Sequence, residues 1–197
     1  MRTLVVTNIV TPDGRYAGPG DDVMAMPFDA VFDDYNAERL RAADTVLLGR
    51  RSFEGFRAFW PQVADDGSAR PVEREVSRQL TSTEKVVISD SLAPDQTAPW
   101  TDTRIVRRAD AHAQVKQLKS GDGADVLVFG SHVMWNGLLA AGLVDELHLL
   151  VGSALLGDGV PVFEGHPRAA LRLLEARRLD DSELALLRYD AAPRPAG

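Results

Sequence analysis

The sequence predicts a three-layer α/β fold: a mostly parallel central sheet, helices on both faces and a C-terminal antiparallel hairpin. Strand-like and helix-like segments alternate almost from end to end, and repeated strand–helix–strand units imply a parallel sheet covered on both sides. The C-terminal section breaks this alternation with two strand-like runs around a turn, which adds antiparallel strands at one edge. The 197 residues make one domain, given the usual roughly 100–200 residues per domain. A chain that long buries about 70% of its unfolded surface and needs no metal or disulfide staple. The domain is expected over residues 1–190, with Ala191–Gly197 as a disordered tail.

The elements follow in order. Thr3–Val10 is a β-branched run leading into a loop of turn formers, Thr11 to Gly20. Phe28, Val31, Phe32, Tyr35 and Leu40 fall at helical spacing within Phe28–Ala43. Thr45–Leu48 is a short buried-type strand stopped by Gly49, followed by a brief helix over Ser52–Ala58 and a loop through Trp60-Pro61 to about Pro71. Val72, Val76 and Leu80 mark another helix, Lys85–Ser89 and Arg104–Val106 two strands, and Ala111, Val115 and Leu118 a helix ended by Gly121-Asp122-Gly123. Asp125–Phe129 is a strongly apolar strand. From Gly130-Ser131 a helix runs to Ala141, with Ser131 as N-cap and Gly142 just past its end. Asp145–Val151 is a strand, and Leu171–Leu179 with Glu183–Tyr189 forms the hairpin around Asp180-Asp181-Ser182.

Composition narrows the function. Hydrophobic content of 45% and charged content of 26% fit an ordinary globular protein. No apolar run approaches the ~20 residues that span a bilayer, and the N-terminus starts as a strand without a signal-peptide core. A cytoplasmic protein with no membrane partner is therefore expected. Zero cysteines exclude a disulfide framework, a thiolate metal site and a cysteine nucleophile. A net charge of −7 opposes a nucleic-acid partner, which normally needs a basic face.

Several chemistries lack their motifs. No G-x-G-x-x-G follows a strand, and there is neither a Walker-A loop nor a G-x-S-x-G elbow. The four histidines lie 16 to 20 residues apart, so no metal site is expected. Two segments do carry chemistry. Leu47-Leu48-Gly49-Arg50-Arg51-Ser52 joins a buried strand, a glycine, two arginines and a hydroxyl at a helix start. Free amides and guanidinium forks there suit a phosphate, although a strand-to-helix turn with solvated arginines reads equally well. Val126 to His132 repeats the arrangement with Gly130 at the strand end, where a capped helix is the plainer reading. Two such turns on one parallel sheet say more than either alone, because a diphosphate suits two helix N-termini across strand carboxyl ends.

These residues also carry a resemblance. Leu48 to Glu54 resembles the glycine–arginine–hydroxyl segment of dihydrofolate reductases. Val126–Val151, with Gly130-Ser131 and Gly142 to Leu147, is similar to the reductase domain of riboflavin biosynthesis, as is the glycine-rich Gly157 to Phe163. The opening, with Thr7-Asn8 and Asp13-Gly14, is similar to stand-alone bacterial members, so the likeness covers roughly Leu4 to Tyr189. It implies a dihydrofolate-reductase-like fold and NADPH as cofactor, with NADH the other candidate. Gly49, Arg50, Arg51 and Ser52 would hold the phosphates, and Ser89 would lie near the adenosine 2′-phosphate. Gly130, Ser131, His132 and Val133 would contact the pyrophosphate and nicotinamide side, and Tyr16 and Ala17 would line the nicotinamide ribose. Asp90, directly after Ser89, disfavours a 2′-phosphate, and Arg107 with Arg108 would restore positive charge.

The substrate side is poorer. Asp29, after Met26-Pro27-Phe28, is the one carboxylate nominated for catalysis, as a group that polarises or protonates a ring nitrogen; as a first-turn helix residue it also suits the helix dipole. Phe28, Phe32, Phe56 and Trp60 wall a planar substrate or belong to the core. The expected activity is hydride transfer from NADPH to a small heterocyclic, ribosylaminopyrimidine or pterin-like substrate. A non-catalytic dinucleotide-binding or sensing module is the alternative. The hairpin offers edge strands for a homodimer, which riboflavin-type relatives commonly form.

Overall fold

The β-branched and apolar runs assemble into one twisted sheet because both faces of each central strand are covered. A computed structural model describes residues 1–165 and 169–193. In chain order the elements are β1 (Leu4–Val10), β2 (Arg15–Ala17), α1 (Ala30–Arg41), β3 (Ala43–Gly49), α2 (Arg50–Val63), α3 (Pro71–Ser82), β4 (Glu84–Ile88) and β5 (Arg104–Val106). There follow α4 (Ala111–Ser120), β6 (Asp125–Phe129), α5 (His132–Ala140), β7 (Glu146–Val151), β8 (Val160–Pro161), β9 (Arg172–Arg178) and β10 (Ala185–Asp190). The eight-stranded sheet has the order β5-β4-β3-β6-β1-β7-β10-β9. The first six run parallel, and the β9–β10 hairpin joins β7 antiparallel.

Alternation along the strands sorts the core into two layers. Leu4 and Val6 of β1 and Val126 and Val128 of β6 pack under α4 and α5, around a fully buried Trp135. Val5, Val46, Leu48 and Leu127 face the other way, under Ala37 and Leu40 of α1, Phe53 of α2 and Val76 and Leu80 of α3. The architecture is the three-layer α/β fold expected, with the hairpin at one edge.

Three local expectations need correction. The loop from Thr11 to Gly20 contains β2, which pairs with β8 in a separate two-stranded sheet. Strands of three and two residues are too short to show a period. Helix α2 does not stop at Ala58 but continues through Trp60 and Pro61 to Val63. Proline removes one backbone donor there, and packing of Phe56, Trp60 and Val63 outweighs that loss. Finally, Ala191 is buried and its N–H bonds the Asp145 carbonyl at 2.8 Å, so the chain is still tied down past residue 190. The remainder of the expected tail, 194–197, lies outside the described residues.

Candidate functional site

Chain direction on the sheet picks out one place. From β1 the chain crosses to β3 over one face, and from β6, the neighbour of β1, it crosses to β7 over the other. Connections that leave adjacent strands in opposite directions open a crevice at the strand carboxyl ends, where open α/β sheets bind ligands. Here the strands part at that end. The β1–β6 ladder ends at Thr7↔Phe129, whereas β1 continues beside β7 to Val10↔Val151.

The two glycine turns flank that opening. Gly49 ends β3 and precedes α2; Gly130 and Ser131 end β6 and precede α5, both in left-handed conformation at φ +53° and +55°. They are bonded to each other twice. The Gly49 N–H donates to Ser131 Oγ at 3.0 Å, and the Ser131 N–H donates to Ser52 Oγ at 2.8 Å. Ser131 was expected to cap its own helix, but its hydroxyl makes no capping bond and turns instead to the neighbouring turn. Left-handed backbone at Ser131 aims the side chain away from its own first amides.

Tyr16 and His132 close the crevice from the α5 side. Their rings stack at 4.5 Å between centroids, and the Tyr16 hydroxyl lies 3.4 Å from where a Cβ on Gly130 would stand. Burial pushes the Tyr16 phenol up to about 12, so it is a neutral hydroxyl. The His132 ring is not free for a phosphate, contrary to expectation. Its Nε2 faces the carbonyls of Pro161 and Val162 at 2.8 and 3.1 Å, so Nε2 carries the proton and fastens β8 to α5. What His132 and Val133 retain toward the crevice is first-turn backbone N–H, since Trp135 makes the first backward bond, to Ser131. The Val133 side chain is 70% exposed. Ala17 is buried against Gly159 of the glycine-rich segment.

Positive charge gathers along the ends of β3, β4 and β5. Arg50 donates to Ser91 Oγ at 2.5 Å and lies 3.1 Å from Glu54. Arg51 reaches out to Asp21 at 3.0 Å, tying the loop before α1 to the start of α2. Arg107 donates to the Asp90 carbonyl. Asp90 itself accepts from the Arg108 N–H at 3.0 Å and lies 3.7 Å from its guanidinium, so its charge is offset locally. Ser89 is placed otherwise than expected. It is 1% exposed, and its hydroxyl accepts from the amides of Ser91 and Leu92, shaping the turn rather than facing a ligand.

Asp29 is engaged structurally. One carboxylate oxygen caps α1 by accepting from the Phe32 N–H at 3.0 Å, and the other accepts from the Ser182 hydroxyl at 2.5 Å. Asp33, one turn on, is the carboxyl whose acidity the fold moves: burial pushes it up to about 6 against the pull of the Arg70 guanidinium. Three of the four aromatics pack into two separate clusters, Phe32 with Ile9 and Met26, and Phe56 with Trp60 around Phe53. Phe28 sits edge-on to Phe32 at 4.9 Å and stays partly exposed.

Asn8, part of the Thr7-Asn8 opening, carries no site role in the sequence. It follows the last β1–β6 pair, is 3% exposed, and its Nδ2 has no hydrogen-bond partner among the described residues. The end of the ladder, a tertiary fact, is what sets it at the opening. Two other concavities lie elsewhere, one of about 180 Å³ between α1 and the hairpin turn and one of about 410 Å³ around Lys85 and Trp100, at the opposite end of β4. Among the described residues no group of acidic or histidine side chains forms a metal site, and no helix is long and apolar enough to cross a membrane.

Known proteins match this arrangement over nearly the whole chain. The Bacillus subtilis (strain 168) protein YyaP, itself uncharacterised, is 28% identical over 180 residues, covering 89% of this chain and 88% of YyaP. A Shewanella sp. PV-4 protein whose name places it in riboflavin biosynthesis superposes with a TM-score of 0.66 at 18% identity, over 97% of this chain and 99% of that one. The Thermotoga maritima diaminohydroxyphosphoribosylaminopyrimidine deaminase/5-amino-6-(5-phosphoribosylamino)uracil reductase gives 0.64 at 14% identity, over 97% of this chain but 57% of that one. The likenesses in structure speak for the fold. A family model described as the RibD C-terminal domain matches residues 2–184, and the chain belongs to that family.

Proposed function

We propose that this protein is an NADPH-dependent reductase acting on a small heterocycle of the pyrimidine or pterin kind. The observation that carries the reading is the pairing of two helix N-termini, at Gly49 and Gly130, beside the crevice between β1 and β6. A diphosphate spanning those turns meets first-turn amides from both helices. The fit extends to single atoms. Gly130 holds a left-handed backbone where a Cβ would press on Ser52 Oγ at 3.1 Å, and the buried Asn8 amide lacks an acceptor of the kind a carboxamide supplies. Bound NADPH would supply hydride from its nicotinamide ring. The protein's own part is to hold the phosphates with the α2 and α5 amides and Arg50, to seat the ring beside Tyr16 and Asn8, and to keep water from its reacting face. With Asp29 engaged in the α1 cap, protonation of the product falls to solvent at the mouth.

Stopped-flow or steady-state oxidation of NADPH with phosphoribosylaminopyrimidines and dihydropterins tests this reading. Turnover of one of them is expected; stabilisation by NADPH with no oxidation of it under any substrate supports a binding module instead. On this reading Arg107 selects the 2′-phosphate. Arg107→Ala is expected to lower kcat/KM for NADPH about tenfold while leaving NADH within twofold, the loss of one charge-assisted contact. Equal losses for both cofactors would remove Arg107 from that role. We also propose a homodimer through β9, an edge strand carrying exposed Leu173 and Leu174; a light-scattering mass near 21.4 kDa, that of one chain, refutes it.

A further inference from the structure

The two serines at the crevice are not equivalent to two more phosphate ligands. Each accepts an amide proton from the other's neighbourhood: Ser131 Oγ from Gly49 N–H, and Ser52 Oγ from Ser131 N–H. The bonds cross between turns that are 79 to 82 residues apart in the chain. Around them the fit is close. A Cβ on Gly49 would stand 3.8 Å from the side chains of Ser131 and Met134, and one on Gly130 3.1 Å from Ser52 Oγ.

We infer that Ser52 and Ser131 are positioning residues, a reciprocal clasp that sets the distance and angle between the α2 and α5 N-termini for a ligand that touches both. The inference rests on the dinucleotide reading above and adds what makes the two half-sites act together. Each hydroxyl spends an acceptor lone pair on the opposite turn, and the acceptor is what an anionic phosphate does not need from it. With the clasp intact, the second half of a dinucleotide binds at a high effective concentration once the first is seated. Without it the turns drift, and that advantage is lost while each turn keeps its own amides and arginines.

The consequences differ from those of direct phosphate contacts. Because both bonds hold one junction, removing either releases most of it, and the second removal adds little. Calorimetric titration of the wild type, Ser52→Ala, Ser131→Ala and the double variant with NADPH and with the half-ligand 2′,5′-ADP reads this directly. Each single variant is expected to weaken NADPH by roughly tenfold, and the double variant by about the same factor rather than about a hundredfold. Affinity for 2′,5′-ADP, which engages the α2 side alone, stays within about twofold in all of them. Ser52→Thr, which keeps a hydroxyl, restores NADPH binding; threonine at 131 is no such control, since a β-branched residue disfavours φ +55°. Amide hydrogen exchange checks the clasp itself, as Ser52→Ala should expose the Ser131 N–H to faster exchange with thermal stability retained.

Multiplicative losses matched by loss of 2′,5′-ADP binding would make the hydroxyls phosphate ligands and overturn the clasp. Unchanged NADPH affinity in both alanine variants would overturn it as well. A wild type that binds no NADPH at all, with the Ser131 amide still protected, would instead remove the dinucleotide reading.

Discussion

Gly130→Val is expected to weaken NADPH binding by at least about 100-fold while leaving the protein folded. Gly130 holds φ +53° and is followed by Ser131 at +55°, so the turn enters α5 through two left-handed residues. A side chain there costs roughly 1–2 kcal/mol from backbone sterics alone, more when β-branched. The new Cβ would also stand 3.1 Å from Ser52 Oγ, tighter than an ordinary contact, and 3.4 Å from the Tyr16 hydroxyl, at van der Waals distance. Relief comes by moving the turn outward, which breaks the Ser131–Ser52 bond and fills the approach to the first amides of α5. The strain is a cost to stability whether or not ligand is bound; the blocked approach to the α5 amides, about 3 kcal/mol of lost phosphate contacts, is what sets some 100-fold in affinity. Gly130→Ala should fall between, near tenfold. Gly55→Ala is the control: it sits mid-α2 with open space around it, and alanine there should stabilise by about 0.5–1 kcal/mol with NADPH binding unchanged. Wild-type affinity in Gly130→Val, read by fluorescence titration, would mean that no ligand approaches this backbone.

What the sequence made legible follows from range. Strands β1, β3, β4, β6 and β7 are short apolar runs whose burial is written in their composition, and the turns at Gly49 and Gly130 announce themselves as glycines at strand ends. The hairpin also read correctly, since Asp180-Asp181-Ser182 separates two runs of similar length. The rest depends on partners far along the chain. Asp29 suited a helix start, but the Ser182 hydroxyl that occupies its second oxygen is 153 residues away. The His132 ring was free on paper and in the fold is held by carbonyls 29 and 30 residues on. Ser89 looked available beside the cofactor, yet its hydroxyl folds back on its own turn, a choice that depends on backbone angles rather than residue type. Ser52 and Ser131 were named as site residues for their position, while their bonds to each other's turns needed the sheet to bring β3 beside β6.

Acid should weaken this protein over two pH windows, and His148→Leu should remove the upper one. His148 is fully buried between α1 and the sheet. Its Nε2 lies 2.8 Å from Glu146 and 3.3 Å from Arg188 Nε, and its Nδ1 2.8 Å from the Tyr35 hydroxyl; the closer carboxylate can only accept, so the neutral ring donates from Nε2 and accepts from the phenol. Arg188 holds Glu146 and Glu175 at 3.0 Å each. Burial keeps the His148 ring below its usual 6.5, despite the pull of Glu146. Its folded form therefore resists a proton that the unfolded chain accepts, and the stability this gives is present above pH 6.5 and lost as pH falls below it. Glu146 has the same sign in a lower window. Hydrogen bonding from His148 and Arg188 holds it at about 2, so its contribution is intact above 4.5 and disappears between 4.5 and 2. Asp33 works against both, because its raised value near 6 favours the folded state as pH falls from 6 to 3.8, which is why the comparison needs a variant rather than a single curve. His148→Leu leaves the Tyr35 hydroxyl and Glu146 short of a partner and should cost about 2–4 kcal/mol at pH 7.5. Urea midpoints at pH 7.5, 6.5 and 5.5 should fall in the wild type and hold nearly level in the variant. Identical slopes would mean that His148 takes up its proton equally in both states, and that the buried network tolerates the charge that its surroundings are built to exclude.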